Sequence, residues 1–216
     1  SHMKYISKIR EDQTDNRQLF LNIELLDEAI EKRQKVAFHY LEYRTDKRQH
    51  PRIHSDGSVR EYVVSPYQMA VKEGKYYLIC NADQYDDVAN YRLDRICDLI
   101  ILEESARAFE TLKGAGGHPL DLANYMKRHV YMYASGDAMA RLRIAPFLVS
   151  DVIDLFGKDV TFSDENDDGI TVAVYANEMS IEQFAKSYVP HVTILGPGAL
   201  RVKVKGMLEQ ALEGYR

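Results

Sequence analysis

The stretch "EYVVSPYQMAVKEGKYYLIC" (Glu61–Cys80) carries the clearest hairpin signal in the sequence. Two runs rich in aromatic and β-branched residues flank the dipeptide Glu73-Gly74, a pattern typical of antiparallel strands joined by a tight turn. Pro66 interrupts the first run, as proline does at strand edges and kinks. We therefore predict an antiparallel hairpin at the centre of the N-terminal half of the chain.

Three more strands are predicted around this hairpin. The aromatic run "KVAFHYLEY" (Lys35–Tyr43) alternates as a half-buried strand does, and "ANYRLDRI" (Ala89–Ile96) and "CDLIILEE" (Cys97–Glu104) have strand character as well. The charged segment 44–60 predicts a loop or ragged hairpin. These short strands with tight turns indicate a small Sm-like or SH3-like β-barrel, open or strongly bent.

A helix is predicted in front of the barrel. Apolar residues recur there at spacings of four, three and four, which places them on one side of a helix over about 16–33. These residues are Leu19, Ile23, Leu26 and Ile30. The predicted N-terminal domain, helix and barrel together, spans residues 4–111.

The glycine-rich stretch "LKGAGGHPLD" (Leu112–Asp121) predicts a domain boundary. We assign 112–130 to this linker and a short helix. The remainder, 131–216, has the strand and helix order βαββαβ of ferredoxin-like domains, followed by a last helix. Within it, Ser180 and Gln183 suggest a capping box at the start of the second helix. The predicted fold class is therefore α+β.

Composition narrows the class of protein. The 216 residues are 45% hydrophobic and 28% charged, which is ordinary for a globular protein with a core. No run of apolar residues is long enough to span a bilayer, and no secretory signal opens the chain. We therefore expect a cytoplasmic protein without a membrane partner. The initial "SHM" resembles a cloning remnant. Cys80 and Cys97 lie in strand-like runs, which favours reduced thiols over a disulfide.

The charge is uneven along the chain, although the net charge of −5 argues against a general nucleic-acid coat. Basic residues outnumber acidic ones between Glu31 and Glu61, whereas acidic residues dominate between Asp151 and Glu178. This asymmetry suggests two surfaces with different roles.

Motifs for catalysis, metals and cofactors are absent from the sequence, so we predict neither an enzyme nor a cofactor. His50 and His54 are four residues apart, but Pro51 breaks any helix that would pair them as metal ligands. The acidic run "DENDDG" (Asp164–Gly169) matches the opening of a calcium loop. Its twelfth position is Tyr175 instead of glutamate, and a strand follows, so we interpret it as a hairpin turn.

Arg92 and Arg95 raise the main functional question. Strand alternation would place Arg95 on one side of "ANYRLDRI" and Arg92 with Asp94 on the other. One interpretation is an ion pair between Asp94 and an arginine, which contributes about 0–1 kcal/mol at a surface. The other is an anion-binding surface, because guanidinium groups among tyrosines suit nucleotides and single strands.

Three separated motifs resemble the WYL domain, an Sm-like barrel. They are "SPY" (Ser65–Tyr67), "YYL" (Tyr76–Leu78), where tyrosine replaces the usual tryptophan, and "YRLDRI" (Tyr91–Ile96). The run "VAFHY" (Val36–Tyr40) resembles the first strand of that family. The C-terminal third is similar, in topology and position, to the WCX-type extension often found after WYL domains.

The resemblance implies a bacterial transcription regulator with a helix-turn-helix DNA-binding domain. We expect that domain to be left out of this sequence. The residues that would face a ligand are Tyr40, Ser65, Tyr67, Tyr77, Arg92 and Arg95. An arginine often precedes the proline of "SPY"; here Tyr62 takes roughly that place and Arg60 lies upstream.

Three functions are compatible with these observations. The first is an effector-sensing fragment that binds an anionic small molecule or single-stranded nucleic acid and acts through a homodimer on the absent DNA-binding domain. The second is a structural dimerisation module with no ligand of its own. The third, an enzyme acting on nucleic acid, is disfavoured because no carboxylate cluster or histidine pair lies on one element.

Overall fold

The computed structural model describes residues 16–133 and 136–216. The protein is mixed α/β, and its strands form two sheets with antiparallel pairings. Two compact units are present. The first comprises the described residues up to Tyr85 together with Tyr91–Ala108, and the second comprises Asp86–Asn90 together with Phe109–Arg216. None of the described helices is both long and apolar enough to cross a lipid bilayer.

The first unit has one long helix, α1 (Asn16–Glu31), and a six-stranded sheet. The strands of this sheet are β1 (Gln34–Tyr43), β2 (Gln49–Pro51), β3 (Glu61–Lys72), β4 (Lys75–Asn81), β5 (Ala89–Arg92) and β6 (Ile96–Ser105). The unit boundary falls within β5, after Asn90. The sheet has the order β2-β1-β3-β4-β5. Strand β6 pairs with the edge of β1 opposite to β3. This path is open, so closure into an Sm-like barrel stays a prediction.

The predicted central hairpin is confirmed. Strands β3 and β4 pair in register up to Lys72 and Lys75, and the turn between them is Glu73-Gly74. Both turn residues have positive φ, 50° and 71°, as a type I′ hairpin turn requires. The register shifts between Pro66 and Gln68, because proline has no N–H to donate to the ladder.

The prediction of one continuous strand over Ala89–Ile96 is wrong. Strand β5 ends at Arg92, Leu93–Arg95 form a 3-10 turn, and β6 begins at Ile96. The turn buries Leu93 completely, and the buried Asn22 side chain of α1 binds the carbonyl groups of Leu93 and Ile96. Strand alternation therefore does not decide which way Asp94 and Arg95 face.

In its described residues, the second unit contains a four-stranded sheet and four α-helices. In chain order they are α2 (Leu122–Arg128), β7 (Asp137–Ile144), α3 (Val149–Phe156), β8 (Thr161–Asn166), β9 (Gly169–Asn177), α4 (Glu178–Ser187), β10 (Val192–Gly196) and α5 (Gly198–Glu213). The strand order is β10-β7-β9-β8. Its core packs sheet residues such as Leu142 and Val172 against helix residues such as Val152 and Phe184.

Helix α4 is capped differently from the prediction. Its N-cap is Asn177, whose side-chain oxygen accepts from the backbone N–H of Ser180 at 3.2 Å. Ser180 thus lies inside the first turn, and the predicted capping box with Gln183 is wrong. Asparagine is as good an N-cap as serine, and Asn177 comes first in the chain. The acidic run "DENDDG" forms the β8–β9 hairpin, with Asn166 paired to Gly169.

Candidate anion-binding site

Four rings from three strands form an aromatic cluster in the first unit: Phe38, Tyr40, Tyr62 and Tyr91. Phe38 and Tyr62 are register partners across β1 and β3, and their rings stack at 5.6 Å. The centre of the Tyr91 ring lies 5.0–5.3 Å from the centres of the other three rings, each in an edge-to-face arrangement. Tyr40 and Tyr62 are only 6% and 7% exposed. Their faces are therefore covered by protein, and they cannot stack on a base in this arrangement.

Two arginines lie on this cluster. The guanidinium of Arg52 is 5.1 Å from the centre of the Tyr40 ring, and that of Arg60 is 4.8 Å from the centre of the Tyr62 ring. The backbone N–H of Arg60 donates to the carbonyl of Arg52 at 2.8 Å, which holds the two residues side by side. Since an aromatic face attracts a cation at this distance, each tyrosine ring stabilises the position of its guanidinium group by a cation–π contact.

Arg92 and Arg52 are paired with carboxylates of the same chain. Two guanidinium nitrogens of Arg92 donate to the carboxylate of Asp94. Nε lies 2.9 Å from Oδ1, and a terminal nitrogen donates to Oδ2. The hydrogen bond to Asp94 raises the pKa of Arg92 and outweighs the opposing effect of burial. Arg52 Nε donates to Glu42 at 3.2 Å. For Arg92, the structure has the internal ion pair of the first interpretation.

Arg60 and Arg95 differ from these two. Neither has a carboxylate oxygen within salt-bridge distance among residues 16–133 and 136–216. Arg95 lies 5.9 Å from the centre of the Tyr43 ring, and its Nε is buried without a hydrogen-bond partner in the described part of the chain. A buried donor of this kind normally has an acceptor, and an ionised guanidinium binds anionic acceptors best.

The other predicted site residues have distinct surroundings. The Tyr40 hydroxyl accepts from the backbone N–H of Arg92 at 3.2 Å. Burial raises the pKa of Tyr77, and the nearby Arg92 charge opposes this, so Tyr77 lies within electrostatic reach of Arg92. Ser65 is fully buried, and its hydroxyl accepts from the backbone N–H of Arg107 at 2.8 Å. Tyr67 is half-buried on β3.

The structure thus brings Tyr40, Tyr77 and Arg92 together and places Ser65 in the core. Contact of any of the six predicted residues with a ligand stays a prediction. Arg52 and Arg60 were not among them, because both lie in the charged segment predicted as a loop. The excess of basic residues between Glu31 and Glu61 was the available signal.

Comparison with known proteins gives a family match for part of the chain. Residues 22–101 match the model of the WYL domain. No curated protein matches this sequence. A solved structure described as a CRISPR Cas-related protein is 14% identical, with a TM-score of 0.50, over 91% of this chain and 52% of that chain.

Proteasome accessory factor B/C (PafBC) of Arthrobacter aurescens is also similar, at 15% identity and a TM-score of 0.36, over 99% of this chain and 28% of that chain. This chain therefore spans about half, or less, of the length of the two solved proteins. The segment that holds the aromatic cluster and all four arginines, residues 22–101, is identified by the family match as similar to WYL domains.

Proposed function

We propose that the first unit is an effector-sensing module that binds an anionic ligand, either a nucleotide or a short single-stranded nucleic acid. The observation that carries the proposal is that Arg60 and Arg95 are not neutralised by a carboxylate of the described part of the chain. Both guanidinium groups lie beside tyrosine rings, and neither has a carboxylate partner in the described part of the chain. The resemblance of residues 22–101 to WYL domains supports the same function.

The tyrosines have a supporting role in this proposal. They hold guanidinium groups by cation–π contact and packing, while Arg60 and Arg95, which have no carboxylate partner in the described part of the chain, can bind phosphate or carboxylate oxygens. Arg52 and Arg92, which are neutralised by Glu42 and Asp94, orient the surface instead of contributing net positive charge. Binding would weaken with rising salt, as phosphate contacts do.

The regulatory part of the proposal needs a homodimer and a DNA-binding domain elsewhere in the full-length protein. The first unit would have the Sm-like barrel of WYL domains, and the second, with its βαββαβ order, would be ferredoxin-like and support dimerisation. The ligand can alter DNA binding only if it binds two arrangements of the dimer with different affinities.

A titration of fluorescently labelled single-stranded oligonucleotides and nucleotides tests the proposal. We expect Arg60→Ala and Arg95→Ala each to weaken binding about tenfold, the value of one charge-assisted hydrogen bond. Arg44→Ala is the matched control, because Arg44 is an exposed arginine of the same basic segment. Equal affinity of all four proteins would overturn the assignment of the site.

A second candidate is a structural dimerisation module without a ligand. The pairs Arg92–Asp94 and Arg52–Glu42 favour it, since both are internal. It predicts no saturable binding of any tested anion at low salt, together with a dimer by sedimentation.

A further inference from the structure

Three different metal-ligating side chains meet on the outer side of the first unit's sheet. His39 lies on β1, and Cys97 and Asp98 lie on β6. Among the described residues, these three bring one potential ligand atom each to within 4.8 Å of the others. The grouping is non-local, because His39 and Cys97 are register partners across the two strands.

A β-bulge explains how two consecutive residues of β6 join the same group. Ala37 pairs with Ile100 and His39 with Cys97, so β6 has one residue more than β1 over this interval. Asp98 lies in the bulge with φ +53°. In a regular strand Cys97 and Asp98 would face opposite sides, but here Ile96 and Leu99 are both buried while the two residues between them face outward. Bulges that redirect a side chain are common at functional sites.

The geometry fits one small cation. His39 Nδ1 is 3.0 Å from Asp98 Oδ2, and the Cys97 thiol lies over the backbone of His39, with Sγ 3.7 Å from its carbonyl oxygen. Ligands of tetrahedral zinc lie about 2.0–2.3 Å from the ion, so their atoms are separated by roughly 3–4 Å. The His39–Asp98 separation is already in this range, and all three ligand atoms lie within 4.8 Å of one another. His39 and Asp98 are accessible, at 31% and 72% side-chain exposure.

We propose that His39 Nδ1, Cys97 Sγ and the Asp98 carboxylate bind one divalent transition-metal ion of the zinc class. Nitrogen, sulfur and carboxylate oxygen are the donors that zinc takes in proteins, and three protein ligands leave a fourth position for water or a small ligand. The ion bridges strands β1 and β6. Because Phe38 and Tyr40 flank His39 on β1, the ion also fixes the strand that carries two rings of the aromatic cluster.

Cobalt(II) titration of the purified chain tests this site. We expect one equivalent to give a thiolate-to-cobalt charge-transfer absorption and tetrahedral visible bands, both removed when zinc displaces cobalt. Cys97→Ser should abolish the charge-transfer absorption, and His39→Ala and Asp98→Asn should each weaken binding by about tenfold or more. The matched control is His50→Ala, because His50 forms a similar pair with Asp46, at 2.7 Å, in which no cysteine takes part.

A second measurement keeps the test independent of whether a variant folds. In the wild-type chain, zinc should slow alkylation of Cys97 at least tenfold, as read by mass spectrometry, while the fully buried Cys80 serves as an internal reference. A cobalt spectrum without a thiolate band, unchanged alkylation of Cys97 in zinc, or equal loss of binding in His50→Ala and His39→Ala would each overturn the proposal.

Discussion

The side-chain amide of Asn22 donates a hydrogen bond of 2.8 Å to the carbonyl oxygen of Ile96, 74 residues further along the chain. The same amide donates to the carbonyl of Leu93 at 3.2 Å. Asn22 is fully buried, and Gln18 donates to its side-chain oxygen at 3.0 Å. One side chain of α1 therefore fixes both ends of the turn between β5 and β6.

Asn22→Ala should destabilise the first unit by about 1–3 kcal/mol, because the buried carbonyl groups of Leu93 and Ile96 each lose the hydrogen bond that Asn22 donates. Asn22→Asp should cost at least as much, since it keeps the shape but points a carboxylate oxygen at the carbonyls. Urea unfolding measures both. Glu24→Ala, at an exposed position of the same helix, is the control and should stay within about 0.5 kcal/mol of wild type. Loss of stability in the control alone would contradict this role of Asn22.

Asp94→Asn should release the Arg92 guanidinium from its internal partner. If the surface binds single-stranded nucleic acid, affinity at low salt should rise, and the slope of log K against log salt should steepen by about 0.7, the value for one added phosphate contact on a single strand. Fluorescence anisotropy at several salt concentrations measures the slope. Asp46→Asn, at a partly exposed acid that pairs with His50, is the control. The same slope in wild type and Asp94→Asn would show that Arg92 contacts no phosphate.

Glu182 should make the second unit sensitive to acid. Burial opposes ionisation of this carboxyl group, but hydrogen bonds from Lys186 and Lys203 outweigh it and lower the pKa below the ordinary value of 4.5. A lowered folded-state pKa stabilises the fold above the ordinary value, and the contribution is lost as the pH falls through the folded-state pKa. Glu182→Gln should therefore cost roughly 1–2 kcal/mol at pH 7 and much less at pH 3.

Thermal or urea unfolding at both pH values checks this. Glu178→Gln provides the comparison, because Glu178 is 42% exposed and 3.6 Å from Lys203. A Glu182→Gln deficit that is as large at pH 3 as at pH 7 would mean that packing, not charge, sets its cost.

Gly169→Ala should disrupt the β8–β9 hairpin. Gly169 has φ +131°, and an added Cβ would lie 2.5 Å from the carbonyl oxygen of Ile144 on β7. Backbone strain and the steric clash together should cost roughly 2–4 kcal/mol. Gly114→Ala is matched to it, because a Cβ there meets no atom within 4 Å. Chemical denaturation compares the two variants, and equal stability would contradict the close approach at Gly169.

The features that could be predicted from the sequence are those whose cause is local. The Glu73-Gly74 turn and the alternation on either side of it lie within a few residues, so the β3–β4 hairpin followed from the sequence. The helix α1 and the order of strands and helices in the second unit did too. Each depends on periodicity and turn chemistry.

The features that could not be predicted depend on distant residues. The turn at Leu93–Arg95 is held by Asn22, and the Arg52 guanidinium lies over the ring of Tyr40, twelve residues earlier on β1. The pairing of His39 with Cys97 needs the β1–β6 register, and the bulge at Asp98 reverses the alternation expected there. At α4, two residues suited to capping lie three positions apart, and propensity alone does not choose between them.

Strand β8 is exposed at every one of its six residues and lies at an edge of the second sheet. It carries Asp164 and Glu165, so a strand from a second molecule docking there in an antiparallel pair would bring like charges together. These acidic side chains therefore disfavour edge-to-edge pairing of two copies of β8, the contact by which sheets extend into fibres.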